Sequence, residues 1–158
     1  MMMITKLESN EVFVFGSNGQ GFHGAGAAGY AMRGEAKNNW RQDEAFLRAM
    51  KAPVGSPERV GKWAIFGVPR GLQQGHEGKS YAIQTIERPG KRCSTSRRDI
   101  CIQLIQLWKV AEYYYNLTFL MTPIGCGYSG YTPAEMQEVI DWVISKHGLP
   151  DNIKLASI

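Results

Sequence analysis

The sequence predicts a layered α/β fold built around a mixed, mostly parallel sheet. Short apolar segments alternate with segments of helical periodicity along the 158 residues. Residues 117–124 form a nearly continuous apolar and β-branched run, which is typical of a strand buried on both faces of a parallel sheet. The composition, 44% hydrophobic and 20% charged, suits one core of ordinary size, so we expect a single domain over 1–158.

The first strand and the loop after it are the clearest features of the amino-terminal half. Residues 11–15 (EVFVF) are β-branched and aromatic and stop at a glycine, which indicates a buried strand. Residues 16–26 hold glycines at a density that excludes regular structure. Residues 27–40 carry alanines, a methionine and charged residues at helical spacing, which predicts a helix directly after the loop.

The middle of the chain gives weaker signals. Proline, glycine and serine within 50–60 predict a surface excursion. We expect a strand at 63–66 (WAIF) and a plain surface loop at 71–78, with a loop that covers a ligand cleft as the alternative for 71–78. Residues 80–86 (SYAIQTI) predict a further strand.

A long helix follows, capped by Ser94, Thr95 or Ser96. Its apolar residues recur at helical spacing and define one buried face. They are Ile100, Leu104, Leu107, Trp108 and Ala111.

The carboxy-terminal part predicts a strand, a helix and a last strand. The strand at 117–124 runs into a second glycine-rich loop. Thr132 and Glu135 then form a capping-box pattern for a helix that continues to Lys146. Residues 152–157 offer a short final strand, so strands and helices alternate along the chain.

The cysteines and the apolar runs indicate the setting of the protein. The chain has three cysteines, Cys93, Cys101 and Cys126. An odd number without the spacing of a zinc site favours a reducing compartment and no metal centre. We expect no resident cofactor. Neither a secretory signal nor an apolar run approaching the ~20 residues of a membrane span is visible, so we expect a cytoplasmic protein with no membrane partner.

The net charge of +4 includes a basic cluster in the middle of the chain. Its members are Arg88, Lys91, Arg92, Arg97 and Arg98. Such a cluster can attract an anionic ligand or a nucleic acid. Aromatic residues do not interleave with these charges, so a solvated loop and helix start is the favoured interpretation.

Two glycine-rich loops, at 16–26 and 125–131, each connect a predicted strand to a predicted helix. That order places both at the carboxyl edge of the sheet, where α/β proteins bind ligands. Glycine allows close backbone approach, and the start of a helix presents N–H groups that favour an anion. The first loop has neither a Walker Gly-Lys-Ser/Thr ending nor the GxGxxG spacing. We therefore predict a cleft for phosphate and a nucleotide ribose, with simple tight turns as the alternative.

Most of the chain resembles the macro domains, which bind ADP-ribose and in some members hydrolyse ADP-ribosyl bonds. The matching segments are VFVFGSN at 12–18, HGAGAA at 23–28, YAIQT at 81–85 and, most strongly, TPIGCGYSGY at 122–131. The arrangement is most similar to a divergent bacterial and phage branch of the family. The resemblance implies a three-layer α/β/α sandwich.

The resemblance also implies site residues. Asn18 would face the ribose distal to the adenine, backbone amides of both loops would hold the phosphates, and Tyr131 would pack against that ribose. The implied ligand-binding set is Gly16, Ser17, Gly24, Ala25, Gly26, Gly125, Cys126, Gly127, Tyr128, Ser129, Gly130 and Tyr131. Three positions depart from the family pattern. Met3 stands where the family commonly has the acidic residue that recognises adenine, and Phe15 stands where the family has the first asparagine of the strand end. Ala25 stands where some hydrolytic members have a basic residue.

Two side chains have alternative interpretations. With Asn18 as its catalytic partner, His23 is a candidate general base because its ordinary pKa is near neutrality, and the alternative is that it braces the loop by hydrogen bonding. Cys126 lies near a helix start that lowers a thiol pKa, but without a visible base we interpret it as a small side chain chosen for fit.

Three function classes follow from these patterns. One is an enzyme that removes ADP-ribose from a macromolecule or metabolite. A second is a reader that binds ADP-ribose, or an ADP-ribosylated macromolecule, without chemistry. A third is a nucleic-acid binding module that uses the basic cluster.

Overall fold

A computed structural model describes residues 2–4, 6–34, 40–88, 90–125 and 129–157. Its strands form one six-stranded sheet in the order β1-β6-β5-β2-β4-β3. They are β1 Met2–Met3, β2 Glu11–Asn18, β3 Gly71–Gln74, β4 Lys79–Ile86, β5 Thr118–Met121 and β6 Ile153–Ser157. All neighbouring strands pair in parallel except β3 and β4, which are antiparallel. The predicted mixed, mostly parallel sheet is confirmed.

Helices cover both faces of this sheet. They are α1 Gly26–Arg33, α2 Glu44–Lys51, α3 Arg97–Tyr113 and α4 Pro133–His147, with short 3₁₀ turns at Trp40–Gln42 and Pro57–Arg59. Because successive side chains of a strand point to opposite faces, Val12 and Val14 of β2 pack with α3 and α4, whereas Phe13 and Phe15 pack with α1 and α2. The result is the expected three-layer α/β/α sandwich.

Local sequence signals explain the two long helices. Ser96 caps α3 by accepting a hydrogen bond from the Asp99 N–H at 3.0 Å, and the predicted apolar face of α3 is buried. Thr132 and Glu135 form the predicted capping box of α4, with bonds of 3.0 and 3.1 Å. Gly148 ends that helix.

The middle of the chain differs from the prediction. The helix expected over 27–40 ends at Arg33, because Gly34 adopts the left-handed conformation, and 35–39 lie outside the described residues. The segment 63–66 is not a strand, since the Trp63 and Ala64 N–H groups donate to the carbonyl of Ala31.

Two elements of this region were missed by sequence reasoning. The strand β3 lies inside the segment expected to be a plain loop, where it pairs with β4 from Gly71 to Gln74. The helix α2 is capped by Asp43, which accepts from the Phe46 N–H at 3.0 Å. No helix in the described part of the chain is long and apolar enough to cross a membrane.

Candidate functional site

A cavity of about 460 Å³ opens at the carboxyl edge of the sheet, where β2 and β5 end side by side. This volume lies within the range of about 300–1,000 Å³ that small-molecule sites usually have. The lining residues come from both glycine-rich loops, the end of β4 and the 3₁₀ turn at Trp40–Gln42. The sequence predicts a phosphate and nucleotide-ribose cleft at this edge of the sheet, and the binding of such a ligand in the cavity stays a prediction.

The first loop is shaped by the side chain of Asn18. Its Oδ1 accepts hydrogen bonds from the N–H groups of Gln20 at 3.0 Å and Phe22 at 3.1 Å. Gly21 has a φ of +61°, and a Cβ atom there would lie 2.5 Å from the backbone nitrogen of Val68. This position therefore has no space for a side chain, and the close contact with Val68 restricts the conformation of the loop between β2 and α1.

The amino terminus of α1 faces the cavity. Ala25 occupies the N-cap position and supplies no side-chain cap, and the first turn contains no acidic residue. Ala25, Gly26, Ala27 and Ala28 all line the cavity. Because the first N–H groups of a helix have no partner within the helix, this end attracts negative charge.

The second loop is tied to β4 and to the segment before α3. The hydroxyl groups of Ser129 and Thr85 lie 2.7 Å apart, and the Cys93 N–H donates to the Ser129 carbonyl at 2.7 Å. Gly125 has a φ of +75°, and a Cβ atom there would lie 2.1 Å from Met136 Sδ. Cys126, Gly127 and Tyr128 lie outside the described residues.

The described end of this loop turns away from the cavity. Neither Gly130 nor Tyr131 is among the described residues that line it. The Tyr131 hydroxyl donates to the Thr95 carbonyl at 2.6 Å, and its ring packs against the core under α3 and α4. Burial also raises the pKa of Tyr131. The expected contact of Tyr131 with a ribose therefore stays a prediction.

His23 is buried against the floor of the cavity. Its side chain is 1% exposed, Nε2 donates to the Val68 carbonyl at 3.1 Å, and its ring meets Phe15 edge to face at 5.1 Å. Burial lowers the pKa of His23 to about 4, against the opposing effect of the Val68 and Ile65 carbonyls. The neutral imidazole therefore carries its proton on Nε2, an arrangement that fits the bracing alternative better than a general base.

Comparison with known proteins identifies the fold. No protein-family model matches the sequence, and no curated protein matches it significantly. The macrodomain of Thermus aquaticus DarG is similar over 100% of this chain and 98% of its own, with a TM-score of 0.53 and 14% identity. A macrodomain protein of Streptomyces coelicolor gives a TM-score of 0.53 and 13% identity over 98% of this chain and 93% of its own. The chain has the macrodomain fold.

A third solved structure has a similar fold. A protein of unknown function from Bacteroides thetaiotaomicron has a TM-score of 0.51 and 13% identity, over 99% of this chain and 97% of its own. At these identities the likeness concerns the fold of the backbone.

Most of the site residues predicted from the sequence line one cavity here. Those that do are Gly16, Ser17, Asn18, His23, Gly24, Ala25, Gly26, Gly125 and Ser129. Sequence reasoning missed several others, namely Gln20, Phe22, Ala27, Ala28, Trp40, Arg41, Thr85, Ile86, Pro123 and Ile124. Thr85 and Pro123 lie within segments that carried the family resemblance, whereas nothing local in the sequence connects Trp40 and Arg41 to the loops.

The charge of the lining favours an anion. Among the described lining residues Arg41 is charged, and no aspartate or glutamate is present. In the described part of the chain no three His, Cys, Asp or Glu side chains are grouped to hold a metal ion. The basic cluster in the sequence is partly neutralised, since Lys91 pairs with Glu87 at 2.6 Å and Arg97 with Glu138 at 2.8 Å.

Proposed function

We propose that this macrodomain binds ADP-ribose, or a closely related nucleoside diphosphate-ribose, in the cavity between the two glycine-rich loops. The observation that carries the proposal is the amino terminus of α1, whose N-cap residue Ala25 supplies no side-chain cap and which forms part of the wall of a ligand-sized cavity. The fold adds support, because the solved structures it resembles include proteins described as macrodomains.

The phosphates would bind at the start of α1. The N–H groups of Ala27 and Ala28 belong to the first turn, and both residues line the cavity. Each favourable interaction of an anion with an exposed helix end contributes about 0.3–1 kcal/mol, so the cavity needs several donors at once. Arg41 provides an additional positive charge on the same lining.

The distal ribose would bind beside Asn18. Its Oδ1 is engaged by the Gln20 and Phe22 N–H groups, and no hydrogen bond from its Nδ2 to another described residue is present. The side-chain NH₂ is therefore available to donate to a ribose hydroxyl. The paired hydroxyls of Thr85 and Ser129 lie on the same cavity lining.

The lining supports a reader more than a hydrolase. General acid–base catalysis needs a side chain that can exchange a proton near the working pH and reach the reacting atoms. The described lining contains no carboxylate, lysine or cysteine, and the pKa of His23 is lowered to about 4 by burial. We therefore propose that the protein binds ADP-ribose without hydrolysing it. Asn18 and His23 then do not act as an acid–base pair.

Thermal unfolding with ADP-ribose, AMP and ribose 5-phosphate tests this proposal. At about a hundredfold excess over Kd, binding adds ~2.7 kcal/mol and raises the midpoint by roughly 5–10 °C for a chain of this size. ADP-ribose should give the largest rise. No rise with any of the three ligands would contradict the proposal.

A second experiment distinguishes binding of ADP-ribose alone from hydrolysis of an ADP-ribosyl bond. The protein is incubated with a mono-ADP-ribosylated protein substrate, and free ADP-ribose is measured. A reader releases none above the rate of the substrate alone. Turnover that His23→Gln abolishes, while the affinity for ADP-ribose stays unchanged, would instead establish the enzyme.

A further inference from the structure

Arg41 is an exposed cation on the lining of the cavity. Its guanidinium carbon lies 4.4 Å from the centre of the Trp40 ring, a cation–π distance. No carboxylate of the described residues forms an ion pair with it. A positive charge held on the wall of a concave site, with no acid opposite, is an arrangement that attracts an anionic ligand.

Trp40 fixes the position of Arg41 relative to the first loop. The indole meets the Phe22 ring edge to face at 4.8 Å. A Cβ atom on Gly24 would lie 3.2 Å from Trp40 Cδ1, so the indole packs directly on the backbone of Gly24. Gly24 precedes Ala25, the N-cap residue of α1. Arg41 therefore lies at the same side of the cavity as the positive end of α1.

The neighbouring charges leave Arg41 available. Asp43, two residues further along, caps α2 through the Phe46 N–H at 3.0 Å and faces the Arg33 side chain at 3.5 Å. Both Asp43 oxygens thus have partners other than Arg41. Since no described carboxylate holds the guanidinium, it can offer several N–H donors to phosphate oxygens.

We infer that Arg41, held by Trp40, binds the diphosphate of the ligand and makes the cavity selective for a nucleoside diphosphate group over a monophosphate. This inference rests on the proposed function, since it assigns a residue to the phosphate part of the same ligand. A diphosphate spans two anionic groups, of which the amino terminus of α1 holds one and Arg41 the other. A monophosphate has one group, whose oxygens must serve both sets of donors, so it gains less from Arg41 than a diphosphate does.

Calorimetric titration of ADP-ribose, ADP, AMP and pyrophosphate tests the inference on the wild type, Arg41→Gln and Arg41→Lys. Arg41→Gln should weaken ADP-ribose, ADP and pyrophosphate by about five- to tenfold, and AMP by less than about twofold. Arg41→Lys should lie between the two, because an ammonium keeps the charge but lacks the planar stacking and the bidentate donors. Rising NaCl should weaken ADP binding more in the wild type than in Arg41→Gln.

Arg48→Gln is the matched control. Arg48 is an exposed arginine of α2 outside the cavity lining, so this variant loses the same net charge. It should keep the wild-type preference for ADP over AMP and the wild-type salt dependence. Thermal midpoints without ligand check that all variants are folded.

The outcomes separate the two proposals. If the wild type binds ADP and pyrophosphate but not ADP-ribose, the proposed function fails while the contrast between Arg41 and Arg48 still supports the inference. If ADP-ribose binds and Arg41→Gln keeps the wild-type ratio of ADP to AMP affinity, the inference is overturned and the proposed function stands. Absence of binding by all four ligands overturns both.

Discussion

Thr85 Oγ1 and Ser129 Oγ lie 2.7 Å apart, and this contact joins the carboxyl end of β4 to the second glycine-rich loop. Both side chains are buried, at 3% and 5% exposure. A hydroxyl pair in such a place is costly to break, because the surviving partner keeps its desolvation penalty. The contact therefore sets the distance between the two sides of the cavity.

Replacing Thr85 by valine removes this contact without a large change of volume. The variant should lose about 1–2 kcal/mol of unfolding free energy, because the Ser129 hydroxyl stays buried without its partner. We also expect weaker binding of ADP-ribose, since the second loop loses its tether. Urea unfolding and calorimetry measure the two effects. Thr85→Ser keeps the hydroxyl and should retain most of the affinity, and wild-type behaviour of Thr85→Val in both assays would refute the tether.

Alanine at Gly125 and at Gly26 should have very different effects on stability. Both glycines have positive φ angles, of 75° and 59°. A Cβ atom at Gly125 would lie 2.1 Å from Met136 Sδ, whereas one at Gly26 meets nothing within 4 Å. Gly26→Ala should therefore cost about 1 kcal/mol of backbone strain, and Gly125→Ala at least 2 kcal/mol. Denaturant unfolding compares the two, and equal losses would show that contact with Met136 is unimportant.

Substitutions of Asn18 should separate its contribution to the stability of the first loop from its contribution to ADP-ribose binding. Asn18→Asp keeps an oxygen that accepts from the Gln20 and Phe22 N–H groups, so the unfolding free energy should stay within about 0.5 kcal/mol of the wild type. It removes the NH₂ donor and adds a negative charge near the phosphates, so the affinity for ADP-ribose should fall more than tenfold.

Asn18→Ala is the companion variant. It loses both accepted hydrogen bonds, so it should be destabilised by about 1–2 kcal/mol and should also bind weakly. The interpretation is wrong if Asn18→Asp binds ADP-ribose as tightly as the wild type, or if Asn18→Ala is as stable as the wild type.

The burial of His23 predicts a pH dependence of stability. The pKa falls from the ordinary value of 6.5 to about 4 in the folded chain. Between these values the unfolded chain binds the proton and the folded chain does not, so stability is complete above pH 6.5 and declines as the pH falls toward 4. The shift corresponds to about 3 kcal/mol at most.

Urea unfolding at about pH 7.5 and about pH 5 measures this decline in the wild type and in His23→Leu. The variant should be less stable at both values, but its loss between them should be clearly smaller. His147→Gln, which removes an exposed histidine near the end of α4, should keep the wild-type dependence. A His23 imidazole that titrates near 6.5 in NMR spectra would contradict the predicted burial effect.

The parts of the fold that could be predicted from sequence are those set by local signals. The predicted strands at 11–15 and 80–86 consist largely of β-branched and aromatic residues, and the helix α4 carries its capping box at Thr132. These signals act within a few residues, so they survive in the folded chain. The first strand continues to Asn18, so the prediction that 16–26 has no regular structure is wrong at its start.

The sequence-based predictions of secondary structure are wrong where tertiary contacts override the local pattern. The segment 63–66 is apolar and aromatic, yet its N–H groups bind the end of α1 and Trp63 fills the core beneath it. The two glutamines of β3 favour a loop in the sequence, but pairing with β4 satisfies the backbone of the segment. Strand propensity depends on such pairing more than on the residues alone.

In the candidate site, too, local sequence signals predict some lining residues, whereas tertiary contacts bring in others. Glycines directly after a strand predict a ligand-binding loop around Asn18, and residues of that loop line the cavity. Trp40 and Arg41 lie outside both loops and reach the cavity through the 3₁₀ turn at Trp40–Gln42, so no spacing in the sequence connects them to Gly24.

Titration of ADP-ribose into ¹⁵N-labelled protein, followed through the amide NMR shifts, tests whether the two loops form the ligand site. We expect saturable shifts concentrated at Asn18, Gly24, Ala27, Ala28 and Ser129, with small changes along the basic segment at 88–98. Shifts confined to the basic segment, or none up to millimolar ligand, would contradict the claim that the two loops form an ADP-ribose site.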